Sequence, residues 1–334
     1  MSFHIETRKV QQTGGSSFII SLPKVWINKH NIEKNDTLGI LSQPDGNLLI
    51  TPQIDNETII KTKEIIVDDY KEENFLFRVL IGTYIMGFSQ IIIKSSKKLE
   101  TFIRDTITNF TQIAIGPEIV EESNNFIVIK DLLNPKEMPF EKTIKRMYIL
   151  VQDMHEDSIN ALENNNKELA EDVIKRDDDI DRLHWLIGRQ AHIVLRDIIL
   201  CQKMGITLEQ ASHYQQMSRF LERIGDHASK ISKNVLILIK HQLDKNLKEE
   251  IKKLSKFSID LLNKSLDAWL QKNLVLANEN IEDIKKLIAA TEKISLNTIN
   301  NSEVSIAIGY IIESIRRTAE YSGDISEIII NNLV

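Results

Sequence analysis

A single cysteine, Cys201, in 334 residues leaves no disulfide framework and no multi-cysteine zinc site, and it suits a reducing compartment. Neither sign of charge dominates. The 42 Lys+Arg and 48 Asp+Glu residues give a formal net charge of −6, which argues against a polybasic nucleic-acid coat, while 42 % apolar content argues against a disordered chain. Long hydrophobic runs are also missing. The most apolar window, residues 75–93, contains Arg78, Ser89, Gln90 and two glycines, and reads as a buried helix followed by a strand. No membrane insertion is expected. Met1 to Lys9 has neither an apolar h-region nor a small-residue cleavage site, so a cytoplasmic protein is expected. Phosphate-binding glycine loops, dinucleotide fingerprints and nucleophile triads are absent from the sequence, and no enzyme is expected.

Proline vanishes part-way along the chain. All six prolines lie within the first 139 residues, and only five of the twelve glycines lie beyond them. Proline costs roughly 3 kcal/mol inside a helix, so its disappearance marks where long helices become possible. The segment Asn134-Pro135-Lys136-Glu137-Met138-Pro139 is the natural boundary.

Residues 1–53 read as a small β-rich unit. Strand-forming runs from Phe3 to Gln12 and from Ser17 to Leu22 flank Thr13-Gly14-Gly15-Ser16. Pro23 suits the first turn of a short helix reaching His30. Leu38–Ser42 and Asn47–Thr51 flank a Pro44-Asp45-Gly46 turn. So few residues bury little surface, and the unit is expected to form a homodimer. Residues 54–134 alternate strand and helix patterns, with strands near Glu64–Val67, Gln90–Lys94, Pro117–Glu121 and Phe126–Lys130, and helices over Glu72–Met86 and Lys97–Phe110. That order predicts a small α/β domain with a mixed sheet, to which no chemistry attaches.

Residues 138–334 carry apolar side chains at helical spacing almost throughout. Ile180, Leu183, Leu186, Ile187, His192 and Leu195 form one such stripe. Gly205 followed by Thr207-Leu208-Glu209-Gln210 is a helix stop and then a capping-box start. About six helices of up to ~35 residues fit.

This region repeats. Arg219-Phe-Leu-Glu222-Arg-Ile-Gly225-Asp226 matches Arg317-Thr-Ala-Glu320-Tyr-Ser-Gly323-Asp324 at an offset of 98. Two three-helix bundles follow, over 138–236 and 237–334, so the fold class is mostly α behind the two small N-terminal domains. Glu222 and Asp226 share one helix face, as do Glu320 and Asp324. A third pair, Asp177 and Asp181, lies on the preceding helix. At the same offset Asp181 falls on Glu279, with Asp283 one turn further, whereas Asp177 falls on Val275. Like charges at this spacing repel by a few tenths of a kcal/mol on an exposed helix and more when partly buried. Arg182, Arg219 and Arg223 are local candidates to compensate them; a metal ion is the other, since carboxylates suit Mg, Mn, Fe, Ca or Zn. Gly225 and Gly323 each cost ~1 kcal/mol mid-helix, so something approaches closely there, either a neighbouring helix or a ligand.

At Leu221-Glu-Arg-Ile-Gly-Asp-His-Ala228 and Asp177-x-x-x-Asp181 the sequence resembles the PhoU phosphate-uptake regulator family over residues 138–334. That resemblance implies a doubled three-helix bundle and multinuclear iron or zinc held by Asp177, Asp181, Glu222 and Asp226, and in the second bundle by Glu320 and Asp324. It implies as partners the phosphate transporter or its signalling components. The second bundle departs from the pattern, having lost the arginine after the glutamate and the His-Ala after the aspartate.

Arg8-Lys-Val-Gln-Gln-Thr-Gly-Gly-Ser-Ser, Ser21-Leu-Pro-Lys-Val-Trp26 and the Pro44 turn resemble the SpoVT/AbrB-type swapped-hairpin family in its archaeal branch. This second resemblance implies a dimer that contacts DNA through Arg8, Lys9, Lys24 and Lys29. Residues 1–53 hold five Lys+Arg against four Asp+Glu, a thin footprint that leaves a dimerisation or interaction role open. The alternative function is a carboxylate-bridged metalloenzyme, to which Asp181-x-x-His184 gives a partial match. Cys201, in an apolar run, reads as an inert buried thiol.

Overall fold

The computed structural model describes residues 5–43, 46–52, 61–297 and 303–334. Its contacts divide the chain into two compact units, Met1–Ile59 and Ile60–Val334. Pro44 and Asp45 of the expected turn, the start of the first expected strand and the expected 53/54 boundary lie outside the described residues.

In the first unit, β1 (Gln11–Thr13) pairs antiparallel with β2 (Ser17–Ile19), with Thr13 opposite Ser17. Gly14 and Gly15 make the turn at φ +61° and +84°, a left-handed conformation that only glycine adopts without strain. Helix α1 (Lys24–Lys29) follows Pro23, and β3 (Gly39–Ser42) pairs with β4 (Leu48–Thr51) as a second hairpin. The strands are shorter than their sequence runs, and among the described residues neither hairpin pairs with a third strand. No described residue of this unit is buried. Phe18 is 72 % exposed and Val25 76 %.

The second unit begins with β5 (Thr62–Ile66), α2 (Glu73–Ile85), β6 (Gln90–Lys94), α3 (Thr101–Ile113), β7 (Pro117–Glu122) and β8 (Phe126–Asp131). The sheet order is β5-β6-β8-β7, with β5 parallel to β6 and the other pairs antiparallel, so the sheet is mixed as its pattern predicts. The apolar stripes of α2 and α3, carrying Leu76, Leu80, Ile103, Ile107 and Phe110, cover Ile65, Ile91, Ile93, Ile127 and Ile129 of the sheet.

Six long helices and one short one complete the unit: α4 (Phe140–Asn164), α5 (Lys167–Val194), α6 (Ile198–Lys203), α7 (Leu208–Leu238), α8 (Lys245–Gln271), α9 (Leu274–Asn297) and α10 (Glu303–Leu333). Helices α4, α5 and α7 pack on one another, as do α8, α9 and α10, and the two sets join along α7–α10 and α4–α8. One core therefore runs through both, from Ile144 and Met147 to Leu262 and Ile325. The caps are encoded locally. Asn165 and Lys272 close α4 and α8 in left-handed conformations; Asn166 and Asn273 then accept from Leu169 N and Leu276 N to start α5 and α9. Thr207 and Gln210 form the expected capping box. Leu195 of the predicted stripe is 56 % exposed, because α5 ends one residue earlier.

The sheet layer is locked to the helices through α5. Arg189, 3 % exposed in its side chain, pairs with Asp131 at 2.6 Å. Its Nη1 donates to the carbonyls of Tyr84 and Phe88 at 2.7 and 2.9 Å. Trp185 packs edge-on against Phe77, with ring centroids 6.2 Å apart, and so serves the sheet domain.

Candidate metal centre

Asp177 and Asp181 project from α5 toward Glu222 and Asp226 on α7. Gly225 sets the spacing, for a Cβ there would lie 3.3 Å from two carbons of Ile180, the residue before Asp181. Helix packing is thus the reason for the glycine. Asp177, Asp181 and Glu222 are half-buried, and Asp226 stands at the open edge. Burial, then Glu222, Asp177, Asp226 and Asp178 in turn, push the Asp181 carboxyl up to about 7. Burial followed by Asp226 also raises Asp177 and Glu222, and burial raises Asp226 against the pull of Arg223 and Lys233. Four carboxylates that destabilise one another's charge invite a cation.

The chain's own cations do not supply it. Arg223 reaches Glu222 at only 3.6 Å from an exposed position, and Arg182 turns to Asp179. Arg176 is held by Asp157 and Asp172 at 2.6 and 3.0 Å. Arg219 acts on Glu222 without forming an ion pair among the described residues. Among the described residues no three His, Cys, Asp or Glu side chains converge on a single point. The donor chemistry of the α5–α7 face fits cations shared between its paired carboxylates.

The second bundle does not fit. Glu320 is clasped by Arg316 and Arg317 at 3.1 and 3.0 Å, and both arginines also hold Glu313. Lys264 of α8 bridges Glu279 and Asp283 at 3.4 and 2.9 Å, and Lys286 takes Asp283 at 2.6 Å. These lysines hold Asp283 below the usual carboxylate range. Asp324 is raised, by burial and then by Glu327 and Glu320.

The partner helix is also out of register with the 98-residue repeat. Gly323, the counterpart of Gly225, meets Ile284, which lies 104 residues beyond Ile180. Counted from that isoleucine, Ile281 and Lys285 stand where α5 has Asp177 and Asp181; counted from the Asn caps, Ile284 and Ile288 do. Neither register supplies a carboxylate pair.

The imidazoles nearby are engaged elsewhere. His184 Nδ1 lies 3.0 Å from Ser218 Oγ and His227 Nδ1 lies 3.1 Å from Ser314 Oγ. Burial first, then neighbouring cations, push both down to about 4. Cys201 is buried, its thiol donating to the Ile206 carbonyl at 3.2 Å and pushed up by burial. In the first unit Arg8, Lys9, Lys24 and Lys29 are exposed, with Arg8 paired to Glu6. Sequence reasoning missed Lys264, which reaches α9 from a third helix. The Arg316–Glu320 contact was readable from its i, i+4 spacing.

The fold and this face define a helical-bundle protein with an acidic surface between α5 and α7, and with an N-terminal hairpin unit. Residues 144–235 match the PhoU domain model, and residues 11–58 match the model of antidote-toxin recognition MazE, a bacterial antitoxin. The first match falls within the first bundle, and the second falls on the N-terminal hairpin unit. The chain is 33 % identical over 147 residues to a phosphate-specific transport system accessory protein PhoU homolog of Aquifex aeolicus, covering 42 % of this chain and 62 % of that protein. It is 31 % identical over 131 residues to the homolog of Caulobacter vibrioides (strain NA1000 / CB15N), covering 39 % and 56 %. The chain thus spans less than two thirds of the length of either relative. The crystal structure of PhoU from Pseudomonas aeruginosa shares the fold, with a TM-score of 0.51 at 20 % identity over 57 % of this chain and 93 % of that one.

Proposed function

We propose that this chain regulates phosphate uptake, binding iron or zinc at Asp177, Asp181, Glu222 and Asp226 and docking on phosphate-transport components or their signalling partners. The observation that carries this reading is the α5–α7 face, four mutually repelling carboxylates with no ion pair closer than 3.6 Å among the described residues, inside a segment matching the PhoU domain. A bound cation would supply vacant coordination positions to phosphate or to a partner's carboxylate. The chain's own part is positional. Ile180 against Gly225 fixes the separation of the two helices. The relatives are named as accessory proteins of transport, which supports a regulator over an enzyme.

The hairpin unit is proposed to dimerise and to contact DNA through Arg8, Lys9, Lys24 and Lys29. Its exposed Phe18, Ile19, Ile20 and Val25 support dimerisation, because each would gain roughly 1.5–3 kcal/mol on full burial. Crystals grown with iron or zinc test the metal reading by anomalous scattering. A peak between α5 and α7 supports it, and carboxylates splayed into water without a peak refute it. For DNA, Arg8→Ala with Lys9→Ala should weaken binding and flatten its salt dependence. Wild-type protein that binds no DNA at low salt refutes the DNA-contact reading.

A further inference from the structure

A cavity of about 420 Å³ opens where α4 and α7 begin and α8 and α10 finish. Its wall is aromatic. Tyr214 and Trp269 meet edge to face with ring centroids 6.1 Å apart. Behind them Phe140 stacks on Tyr214 at 5.4 Å and Tyr148 stacks on Trp269 at 6.4 Å. Phe140 and Tyr148 belong to the buried core, whereas Tyr214 and Trp269 are half-buried; Phe140, Tyr214 and Trp269 line the cavity. The inner rings therefore hold the outer pair rigid.

The rim is positive. Lys136 and Lys272 line it and are exposed, and its one carboxylate among the described residues, Glu141, is already paired with Lys145 at 2.6 Å. The first turn of α4 also faces this space. Its N-cap residue, Pro139, offers no capping side chain, so the opening N–H groups of a 25-residue helix lack the partner that Asn166 and Thr207 give α5 and α7.

We propose that this cavity binds a nucleotide, its base against Tyr214 and Trp269 and its phosphate between Lys136, Lys272 and the first turn of α4. The volume falls within the range of small-molecule sites, roughly 300–1,000 Å³. Inorganic phosphate would leave the ring wall unused, and a neutral aromatic would leave the lysines and the helix end unanswered. Because α4 and α7 come from one bundle and α8 and α10 from the other, an occupant would bridge the two. None of the paired carboxylates lines this cavity, so the proposal stands independently of the metal reading.

Isothermal titration of the full chain with AMP, ATP, adenosine and inorganic phosphate tests it. AMP or ATP should bind saturably below about 1 mM, with adenosine and inorganic phosphate each weaker by on the order of tenfold. Lys136→Gln with Lys272→Gln changes only exposed side chains and should weaken nucleotide binding about tenfold. Trp269→Leu should weaken it by a similar order through lost stacking, with a thermal melt to show that the variant folds. No saturable binding, inorganic phosphate bound as tightly as AMP, or an affinity unchanged in the lysine double variant would overturn the proposal.

Discussion

Gly225 on α7 and Ile180 on α5 touch so closely that even one methyl group at 225 would press, at 3.3 Å, on both γ-carbons of the isoleucine. The contact brings the helices together beside Asp181 and Glu222, so one packing choice sets both the core and the acidic face. In the second bundle a methyl group at 323 would come within 2.6 Å of Ile284, but only of its terminal Cδ1.

The two glycines should therefore answer differently to alanine. At 225 the obstructing atoms are branched at Cβ and stiff, so Gly225→Ala should destabilise by about 1–2 kcal/mol as overpacking outweighs helix propensity. At 323 the Cδ1 can swing away, and Gly323→Ala should range from neutral to stabilising by up to ~1 kcal/mol. Denaturant midpoints of the two variants check this.

Asp181, held up at about 7, gives the metal-free protein a pH dependence of definite sign. The folded state keeps its proton between about 4 and 7 while the unfolded state releases it, so the stabilisation is present at low pH and lost as pH rises through 7. Asp181→Asn should raise metal-free stability at pH 8 by about 1–3 kcal/mol, with little change at pH 5. Urea titrations in chelator at the two pH values measure it.

His155 acts in the opposite direction. It is fully buried between Ser255 Oγ at 3.0 Å and Thr318 Oγ1 at 3.4 Å, and burial followed by repulsion from His227 pushes it down to about 4. Its unfolded form takes up a proton near 6.5, so its contribution is full above that pH and is lost as pH falls toward 4. The slope of stability against pH between 4 and 6.5 should be shallower in His155→Gln than in wild type, even if that variant is less stable at pH 7.

Removing Arg189 should separate the sheet layer from the bundle. It leaves Asp131 without its ion-pair partner and takes a donor from the Tyr84 and Phe88 carbonyls, at a cost of about 3–5 kcal/mol. Hydrogen exchange should rise first in β8 and α2 and least in α7 and α10. Uniform loss of protection would show that the contact does not couple the two layers.

Much of this architecture was legible because its signals are local. The Thr207 capping box, strand β6 and the 3–4 stripe of α5 each follow from a few adjacent residues. Leu195 failed as a core residue because periodicity does not say where a helix stops. The repeat located Glu320 and Asp324 on α10, yet it misplaced their partners. The stretch between α5 and α7 is longer than that between α9 and α10, so no constant offset carries one bundle onto the other. The lysine clamp from α8 needed the third dimension.

Metal content per chain, measured by elemental analysis of protein purified without added metal, bears most directly on the α5–α7 face. Wild type should carry iron or zinc, Glu320→Gln with Asp324→Asn should carry the same amount, and Asp181→Asn with Glu222→Gln should carry almost none. Metal retained by the last variant, or lost from the second-bundle variant alone, would contradict a single cation-binding face between these two helices.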